Sequence, residues 1–317
     1  MTSKLIPMLA LAVSAFAQNT FAQNKLVNSV GNFIHDVGDL DRSVHFYHDV
    51  LGMDSPRPPG DWQTTEAILN MYDAVGGKFR VGNAQIPGSP MRVELVEFQG
   101  VDRKPVSRPW GVAGTSVLML TVVDLAQVEE RLKSANVPIL VKSKKACDGR
   151  GVVAADPDGF AVMLVERSTP APDSSAAKSN FTGMRFGYLV SGEAMAKGPF
   201  AALGLQAETR THICQPIEDA LMNGGGVDSI VTLPGGFEVW LVKGKKAAND
   251  RVAVRPRDPG AAVLRLMVSD VDAAVQALKQ AHLNIASAGG AIQTLAPGTT
   301  RAVILHAPDD LLIQVVK

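Results

Sequence analysis

The chain has 317 residues, of which 46% are hydrophobic, and its 31 basic residues balance 31 acidic ones. A chain of this length has room for two globular domains. The balanced charge provides no basic surface for nucleic acid or an anionic membrane, so we expect neither as a partner.

The first 22 residues differ in composition from the rest. Lys4 precedes an apolar stretch, and small-x-small motifs follow at Ala15-Phe16-Ala17 and Thr20-Phe21-Ala22. These features are typical of an export signal, and the stretch is shorter than the roughly 20 residues that span a bilayer. We therefore predict a signal peptide over residues 1–22 and an exported, periplasmic or secreted protein. A membrane anchor is the alternative.

Beyond this segment, the chain repeats one pattern four times. A short apolar run is followed by a polar residue and a helix-like pattern, and the four helix starts are predicted at Asp39, Asp124, Ser191 and Asp270. In the helix after Asp124, Leu125, Val128 and Leu132 recur at helical spacing. The period of roughly 70–85 residues is too long for a solenoid and suits a β-α-β-β-β module.

A segment of small and polar residues with two prolines, 168–180, is typical of a linker. It predicts two domains, residues 25–167 and 181–317, each with two modules. The two cysteines, Cys147 and Cys214, fall one in each half, and no spacing suggests a disulfide framework or a zinc site. Whether they pair is left open.

The strand patterns indicate which residues face away from the helices. In residues 92–98, Val93 and Leu95 share one face, while Arg92 and Glu94 share the other. The same register recurs in three later strands and turns Met163, Glu238 and Gln314 in the same direction as Glu94.

One segment, roughly Ser55 to Gly88, reads as an insertion in the first module, with a helical patch around Glu66 to Ala74. An insertion of this size can form a lid or rim over a site, or it can be decorative packing. Both interpretations stay open.

The run Val37–Tyr47, the sequence Val50-Leu51-Gly52 and the turn Asp156–Phe160 resemble the vicinal oxygen chelate superfamily, the group of glyoxalases, bleomycin-resistance proteins and extradiol dioxygenases. The resemblance implies an α+β fold of two tandem domains. Each domain would pair two β-α-β-β-β modules in a curled, incomplete-barrel mixed sheet around a cleft. In that family four cleft positions, on the first and last strands of the paired modules, hold a divalent metal through His, Glu or Gln.

Counting seven residues back from each helix start locates the first-strand positions. The first half then offers Asn32, Val117, Glu94 and Met163, and the second half offers Met184, Val263, Glu238 and Gln314. None is a histidine, and the valines and methionines supply no hard donor. We therefore predict no cofactor, with a divalent metal as the disfavoured alternative.

Two glutamates are the candidate catalytic residues. A carboxylate that is desolvated among apolar neighbours has a raised pKa and can serve as a general acid or base, which would suit Glu94 and Glu238. Ion pairing is the alternative, with Arg92 beside Glu94 and Arg265 predicted near Glu238 in the second cleft.

The predicted ligand-binding residues form a larger set: Asn32, Arg92, Met163, Tyr188, Trp240, Arg265 and Gln314. We expect Tyr188 and Trp240 to line the second cleft, as an aromatic pocket or as ordinary core. The prediction is an exported protein that binds a small organic molecule. A glyoxalase-like lyase or isomerase is the alternative, and a dioxygenase is less favoured. The fold does not decide between binder and enzyme, and monomer and homodimer both remain open.

Overall fold

The computed structural model describes residues 25–55, 57–86, 91–106, 108–146, 149–166, 180–209, 227–245, 253–295 and 298–317. The predicted signal peptide, both cysteines and all of the predicted linker except Asn180 lie outside the described residues. Within the described ranges, no helix is both long and apolar enough to cross a membrane.

The four predicted modules are all present. Module one contains β1 (Val27–Val37), α1 (Leu40–His45), a π-helical turn (Phe46–Leu51), α2 (Glu66–Met71), β2 (Lys78–Gln85) and β3 (Arg92–Gln99). Module two contains β4 (Ser116–Val122), α3 (Leu125–Ser134), β5 (Ile139–Ala146), β6 (Gly149–Ala155) and β7 (Ala161–Glu166).

The second half of the chain repeats this order. Module three contains β8 (Phe181–Val190), α4 (Glu193–Ala202), β9 (Ala207–Glu208), β10 (Val227–Thr232) and β11 (Glu238–Lys243). Module four contains β12 (Ala262–Val268), α5 (Val271–Gln280), β13 (Asn284–Ile285), a 3-10 turn (Ala288–Gly290), β14 (Gln293–Leu295), β15 (Thr300–His306), a 3-10 turn (Pro308–Asp310) and β16 (Leu312–Val316).

Side-chain caps explain where three of the helices begin. The carboxylates of Asp39, Asp124 and Asp270 each accept a hydrogen bond from the backbone N–H three residues later, at 3.0 Å. An aspartate in this position satisfies a backbone donor that the first helical turn leaves unpaired. In module three the N-cap is Gly192 and not Ser191, so that helix starts one residue later than predicted.

The strands form two mixed sheets of eight strands. Sheet one has the order β13-β15-β16-β12-β1-β3-β2, with β14 attached to β15, and sheet two has the order β5-β6-β7-β4-β8-β11-β10-β9. At the centre of each sheet the first strands of two modules run antiparallel, β1 beside β12 and β4 beside β8. The predicted α+β architecture of paired modules in curled mixed sheets is confirmed.

The pairing of the modules differs from the one assumed for the clefts. Module one shares a sheet with module four, and module two shares a sheet with module three. The sequence interpretation paired neighbours along the chain because consecutive elements are usually adjacent in space. Each cleft is therefore built from both halves of the chain.

One large apolar core lies between the two sheets and their helices. Phe33 of β1 meets Phe186 of β8 and Phe160 of module two, with ring centroids 5.2 and 5.8 Å apart. Val93 and Leu95 face this core, as predicted, while Val96 and Phe98 belong to a separate apolar cluster on the other face of sheet one. The faces turned away from the shared core are called cleft one, on sheet one, and cleft two, on sheet two.

The segment predicted as an insertion is partly regular module structure. Strand β2, Lys78–Gln85, lies within it and pairs with β3 along its whole length. Modules two, three and four continue from their helices directly into a strand, whereas module one places α2 there. The extra element is thus α2 with its flanking loops.

Candidate functional site

Four of the predicted polar residues converge in cleft one. Asn32 and Glu94 come from β1 and β3 of module one, and Arg265 and Gln314 come from β12 and β16 of module four. Arg265 and Gln314 are paired neighbours in the parallel ladder of β12 and β16. Because β1 and β12 run side by side at the centre of the sheet, the two pairs meet across the boundary between the modules.

The Arg265 guanidinium lies at the centre of this group. Its Nη1 and Nη2 donate to the two carboxylate oxygens of Glu94 at 3.1 and 3.0 Å, and its Nε donates to Oε1 of Gln314 at 2.5 Å. The Asn32 side-chain amide donates to Glu94 at 2.8 Å, and Arg92 Nε donates to the Asn32 oxygen at 3.0 Å. These bonds form one connected network across both modules.

The network determines the ionisation of Glu94. The Glu94 and Arg265 side chains are 16% and 19% exposed. Burial alone would raise the pKa of Glu94, but the charge of Arg265 and hydrogen bonds from Arg265 and Asn32 outweigh burial and hold that pKa below its ordinary value. Glu94 is therefore a carboxylate at neutral pH, locked in a bidentate ion pair.

An apolar cavity of about 270 Å³ lies above this network. Glu94, Arg265 and Gln314 are its polar lining, together with Tyr72 and Thr300. Its apolar lining comes from both modules: Ile68, Met71, Phe79, Val81, Val96, Met267, Leu295 and Val316. An apolar pocket with a few convergent polar groups is the usual form of a small-molecule site.

Helix α2 and the residue that follows it cover one side of this cavity, with Ile68, Met71 and Tyr72 in its lining. The helix is fixed to module four, because the Ser287 hydroxyl donates to the Met71 carbonyl at 2.8 Å. Gln314 also donates to the Met71 sulfur at 2.9 Å. Of the two interpretations of this segment, the geometry favours the rim of a site.

Two buried polar groups near this site were missed by sequence reasoning. Tyr72 is 2% exposed, and its hydroxyl makes no hydrogen bond of good geometry within the described residues. Asp36, on β1, is fully buried, and both of its carboxylate oxygens lack a hydrogen-bond partner there. Burial, Glu94 and Asp258 raise the pKa of Asp36 well above its ordinary value, against the opposing charge of Arg103. The apolar strand pattern around Asp36 was the available signal.

Cleft two also contains an arginine–glutamate pair, but from a single module. Arg185 of β8 lies 2.9 Å from the Glu238 carboxylate of β11. The Trp240 indole donates to Glu238 at 2.8 Å, and the Arg185 guanidinium lies 5.5 Å from the centroid of the Trp240 ring. Met163 and Trp240 are buried in the apolar cluster of this face, as ordinary core residues are.

Two predicted residues exchange clefts, because module four pairs with module one and module two pairs with module three. Gln314 was predicted beside Glu238 and lies in cleft one, and Met163 was predicted beside Glu94 and lies in cleft two.

Three further predicted positions need correction. Arg265 faces Glu94 in cleft one and not Glu238 in cleft two, because module four pairs with module one. Tyr188 packs in the core between the sheets, and its hydroxyl donates to the Asp309 carbonyl. Met184 also packs against that core, so neither Tyr188 nor Met184 faces cleft two.

A polar cluster joins the two sheets away from both clefts. His35 is fully buried, with Nε2 2.7 Å from the Asp156 carboxylate and Nδ1 3.1 Å from the Ala261 carbonyl. Burial acts to lower the pKa of His35, but Asp156 outweighs burial and raises it. His35, Asp156 and Asp158 place ligand atoms within 4.8 Å of one another. Hydrogen bonds within the protein already engage all three, so the cluster links modules one, two and four.

Comparisons with known proteins agree with this architecture. Residues 36–164 match the sequence model of the Glyoxalase/Bleomycin resistance protein/Dioxygenase superfamily. The chain is 28% identical over 178 residues to a probable chloroplastic lactoylglutathione lyase of Arabidopsis thaliana, a match that covers 52% of this chain and 45% of that protein. The chain thus spans less than half the length of this curated relative.

Solved structures extend the likeness to the whole fold. A mutant of glyoxalase I from Zea mays has a TM-score of 0.58 at 17% identity, covering 91% of this chain and 93% of that chain. A putative dioxygenase from Bacillus subtilis has a TM-score of 0.57 at 16% identity, covering 92% and 86%. At these identities the likeness shows the fold alone. The resemblance drawn from the sequence is confirmed.

Proposed function

We propose that this chain, a member of the vicinal oxygen chelate superfamily, binds a small organic molecule in cleft one without the divalent metal of its family. One observation carries the proposal. The Arg265 guanidinium lies among Asn32, Glu94 and Gln314. These four residues come from the first and last strands of modules one and four, so the guanidinium lies at their common focus. A fixed cation of the protein takes the central place in the cleft, and an apolar cavity opens above it.

The residues at this focus do not fit a divalent metal. Both Glu94 oxygens and the Gln314 carbonyl oxygen accept from Arg265, and the Asn32 oxygen accepts from Arg92. A metal ion would have to displace these donors and stand beside a guanidinium that stays charged, which Coulomb repulsion opposes. The set also lacks an imidazole, a common ligand of transition metals.

The ionisation of Glu94 supports binding over acid–base chemistry. An effective general base has a pKa near the working pH and an oxygen free to take the proton. The pKa of Glu94 is lowered, and both of its oxygens are engaged. The lyase alternative that the name of the Arabidopsis relative suggests would need another base or a metal.

Metal content of the full chain tests the first part of the proposal. The protein is purified without a metal-affinity tag and then dialysed against Zn²⁺ or Ni²⁺. Elemental mass spectrometry measures the metal that stays bound. Wild type should hold far less than one ion per chain. The Arg265→His variant removes the guanidinium, releases one Glu94 oxygen and the Gln314 oxygen from hydrogen bonds and adds an imidazole, so it should bind about one ion per chain. A stoichiometric ion in wild type that Glu94→Gln abolishes would contradict the proposal and favour the lyase.

A cavity-filling pair of variants tests the second part. Val81 lines the cavity, whereas Val75 is 62% exposed and lies outside it. Fragments found by ligand-observed NMR should lose binding in Val81→Trp and keep it in Val75→Trp. Fragments that bind both variants equally would place the site elsewhere.

A further inference from the structure

The Tyr72 hydroxyl needs a physical explanation. It lies in the lining of the cavity, is withdrawn from solvent, and has no acceptor for its proton within the described residues. Leaving a buried polar group unsatisfied destabilises the folded state. Such a group in a native structure calls for a role or for a ligand that completes it.

The position of this hydroxyl is fixed by its surroundings. The Tyr72 ring packs against Phe98 with centroids 5.1 Å apart. The Arg265 charge lies close enough to oppose the rise that burial imposes on the pKa of Tyr72. The hydroxyl therefore stays protonated and stands beside the guanidinium, at the polar end of the cavity.

The polar end of the cavity offers donors and few acceptors. Three of the five N–H groups of the Arg265 guanidinium are used by Glu94 and Gln314, so the group keeps donors beside the Tyr72 proton. The Glu94 oxygens and the Gln314 carbonyl oxygen already accept from Arg265. A ligand that completes this site must bring a hydrogen-bond acceptor, and a carbonyl oxygen can accept from both donors with its two lone pairs.

Charge excludes ionised ligands from the same place. Glu94 and Arg265 are the charged residues of the cavity lining and neutralise each other, whereas Arg92 of the same network lies outside that lining. A ligand carboxylate would face the Glu94 charge and compete with it for Arg265, and a ligand ammonium would face Arg265 directly. An uncharged carbonyl oxygen meets neither penalty.

The size of the cavity limits the rest of the molecule. An apolar cavity of about 150 Å³ binds benzene. A cavity of about 270 Å³ therefore has room for roughly two fused rings. Its walls are mainly aliphatic, with Met71 and Met267 as adaptable surfaces.

We propose that cleft one binds an uncharged ketone or amide of about two-ring size, whose carbonyl oxygen accepts hydrogen bonds from Tyr72 and Arg265. This inference rests on the proposed function, because it names the ligand class of the same cavity. It makes Tyr72 the residue that selects a carbonyl over a plain hydrocarbon.

Three probes of one size test it: 1-tetralone, its parent hydrocarbon tetralin, and 1-naphthoate as the charged comparator. Dissociation constants are measured by ligand-observed NMR titration of the full chain. In wild type, 1-tetralone should bind roughly tenfold or more tighter than tetralin, because only the ketone satisfies the buried donors. Naphthoate should bind most weakly.

A matched pair of tyrosine variants isolates the hydroxyl. Tyr72→Phe should erase the preference for 1-tetralone and leave tetralin unchanged. Its melting temperature should not fall, because the variant removes a buried donor that has no acceptor within the described residues. Tyr47→Phe is the control: that hydroxyl donates to Asp156 at 3.3 Å, away from both clefts, so the preference should survive.

The outcomes separate this inference from the proposed function. Equal binding of 1-tetralone and tetralin to wild type, or a ketone preference that survives Tyr72→Phe, overturns the carbonyl assignment while the cavity remains a binding site. Tightest binding of naphthoate overturns it in favour of an anion site. If no probe binds, and a wider fragment set binds wild type no better than Val81→Trp, the proposed function fails as well.

Discussion

Cleft one and cleft two show how one architecture yields two different interiors. Each has an arginine–glutamate pair on the outer face of its sheet. In cleft one, Arg265 of module four reaches Glu94 of module one, and a cavity of about 270 Å³ remains. In cleft two, Arg185 and Glu238 belong to the same module, and Trp240 lies against both. A pair that crosses the module boundary ties two modules together, whereas a pair within one module does not.

Side-chain volume at a few positions accounts for the rest of the difference. Met119, Met163 and Trp240 are each at most 2% exposed in cleft two. Gly187 of β8 faces Val117 so closely that a Cβ there would lie 2.4 Å from a Val117 methyl carbon. Of the alternatives left open for the Trp240 region, pocket or core, this packing favours core.

Removing the two arginines should have the largest effect and should separate the clefts. Arg265→Met leaves the Glu94 carboxylate buried and unpaired, which should cost about 3–5 kcal/mol of unfolding free energy. Each glutamate keeps one neutral donor, Asn32 for Glu94 and Trp240 for Glu238, but Glu238 is more exposed, so Arg185→Met should cost about 1–2 kcal/mol. Urea unfolding at neutral pH measures both. Equal losses would mean that the pair across the module boundary has no special role.

The pH dependence of the Arg265→Met loss has a definite sign. Burial raises the pKa of Glu94, but Arg265 lowers that pKa by a larger amount, so the net shift is downward. The ion pair therefore stabilises the wild-type protein at pH values above the ordinary pKa of glutamate. That contribution disappears as the pH falls through the lowered value. Without Arg265, burial dominates and the pKa rises. The difference between variant and wild type should therefore be smaller at pH 4 than at pH 7, and a constant difference would refute the ion-pair account.

A matched pair of glycine variants should show an intermediate effect. A Cβ on Gly187 would meet Val117 and Met119 at 2.4 and 3.0 Å, inside packed core, so Gly187→Ala should cost about 1–3 kcal/mol and leave ligand binding unchanged. A Cβ on Gly31 would instead meet the flexible Arg265 stem at 2.6 Å. Gly31→Ala should cost less stability but weaken 1-tetralone binding. The reverse pattern, measured by urea unfolding and NMR titration, would make cleft two the ligand site.

The sequence predicts the parts of this comparison that depend on local pattern. Alternation along β3 places Glu94 opposite Val93 and Leu95, and an aspartate cap fixes the start of three helices. The helix of module three is capped by Gly192, and counting seven residues back from it reaches Arg185 instead of Met184. A one-residue slip turns every side chain of a strand to the other face. This slip explains why Tyr188 was assigned to the wrong face.

The glutamate that pairs with Arg265 was predicted wrongly for a different reason. Nothing in the local pattern of the four first strands, β1, β4, β8 and β12, gives one of them a preferred partner among the others. The choice of module four for module one depends on contacts more than 150 residues apart in the chain, such as Phe33 opposite Leu264. Tyr72 was missed because it follows a short helix in a segment without strand periodicity. Its role depends on where α2 packs, and no local spacing encodes that.

Asp36 should give the smallest effect and offers a last contrast between the clefts. Seven-residue counting aligns Asp36 with Leu189 of module three, which is fully buried in the apolar cluster of cleft two. Burial and the nearby charge of Glu94 raise the pKa of Asp36, so its neutral form is favoured. Its contribution to stability is complete below the unfolded pKa and declines as the pH rises towards the raised value.

The neutral, similarly shaped Asp36→Asn variant removes this dependence. At pH 7 it should be more stable than wild type by roughly 1 kcal/mol, because it no longer has to keep a buried acid protonated, and at pH 4 the two should be nearly equal. Urea unfolding at both values measures the difference. An equal difference at both pH values would mean that Asp36 ionises as freely in the folded chain as in the unfolded one. Cleft one would then tolerate a buried charge where cleft two holds a leucine.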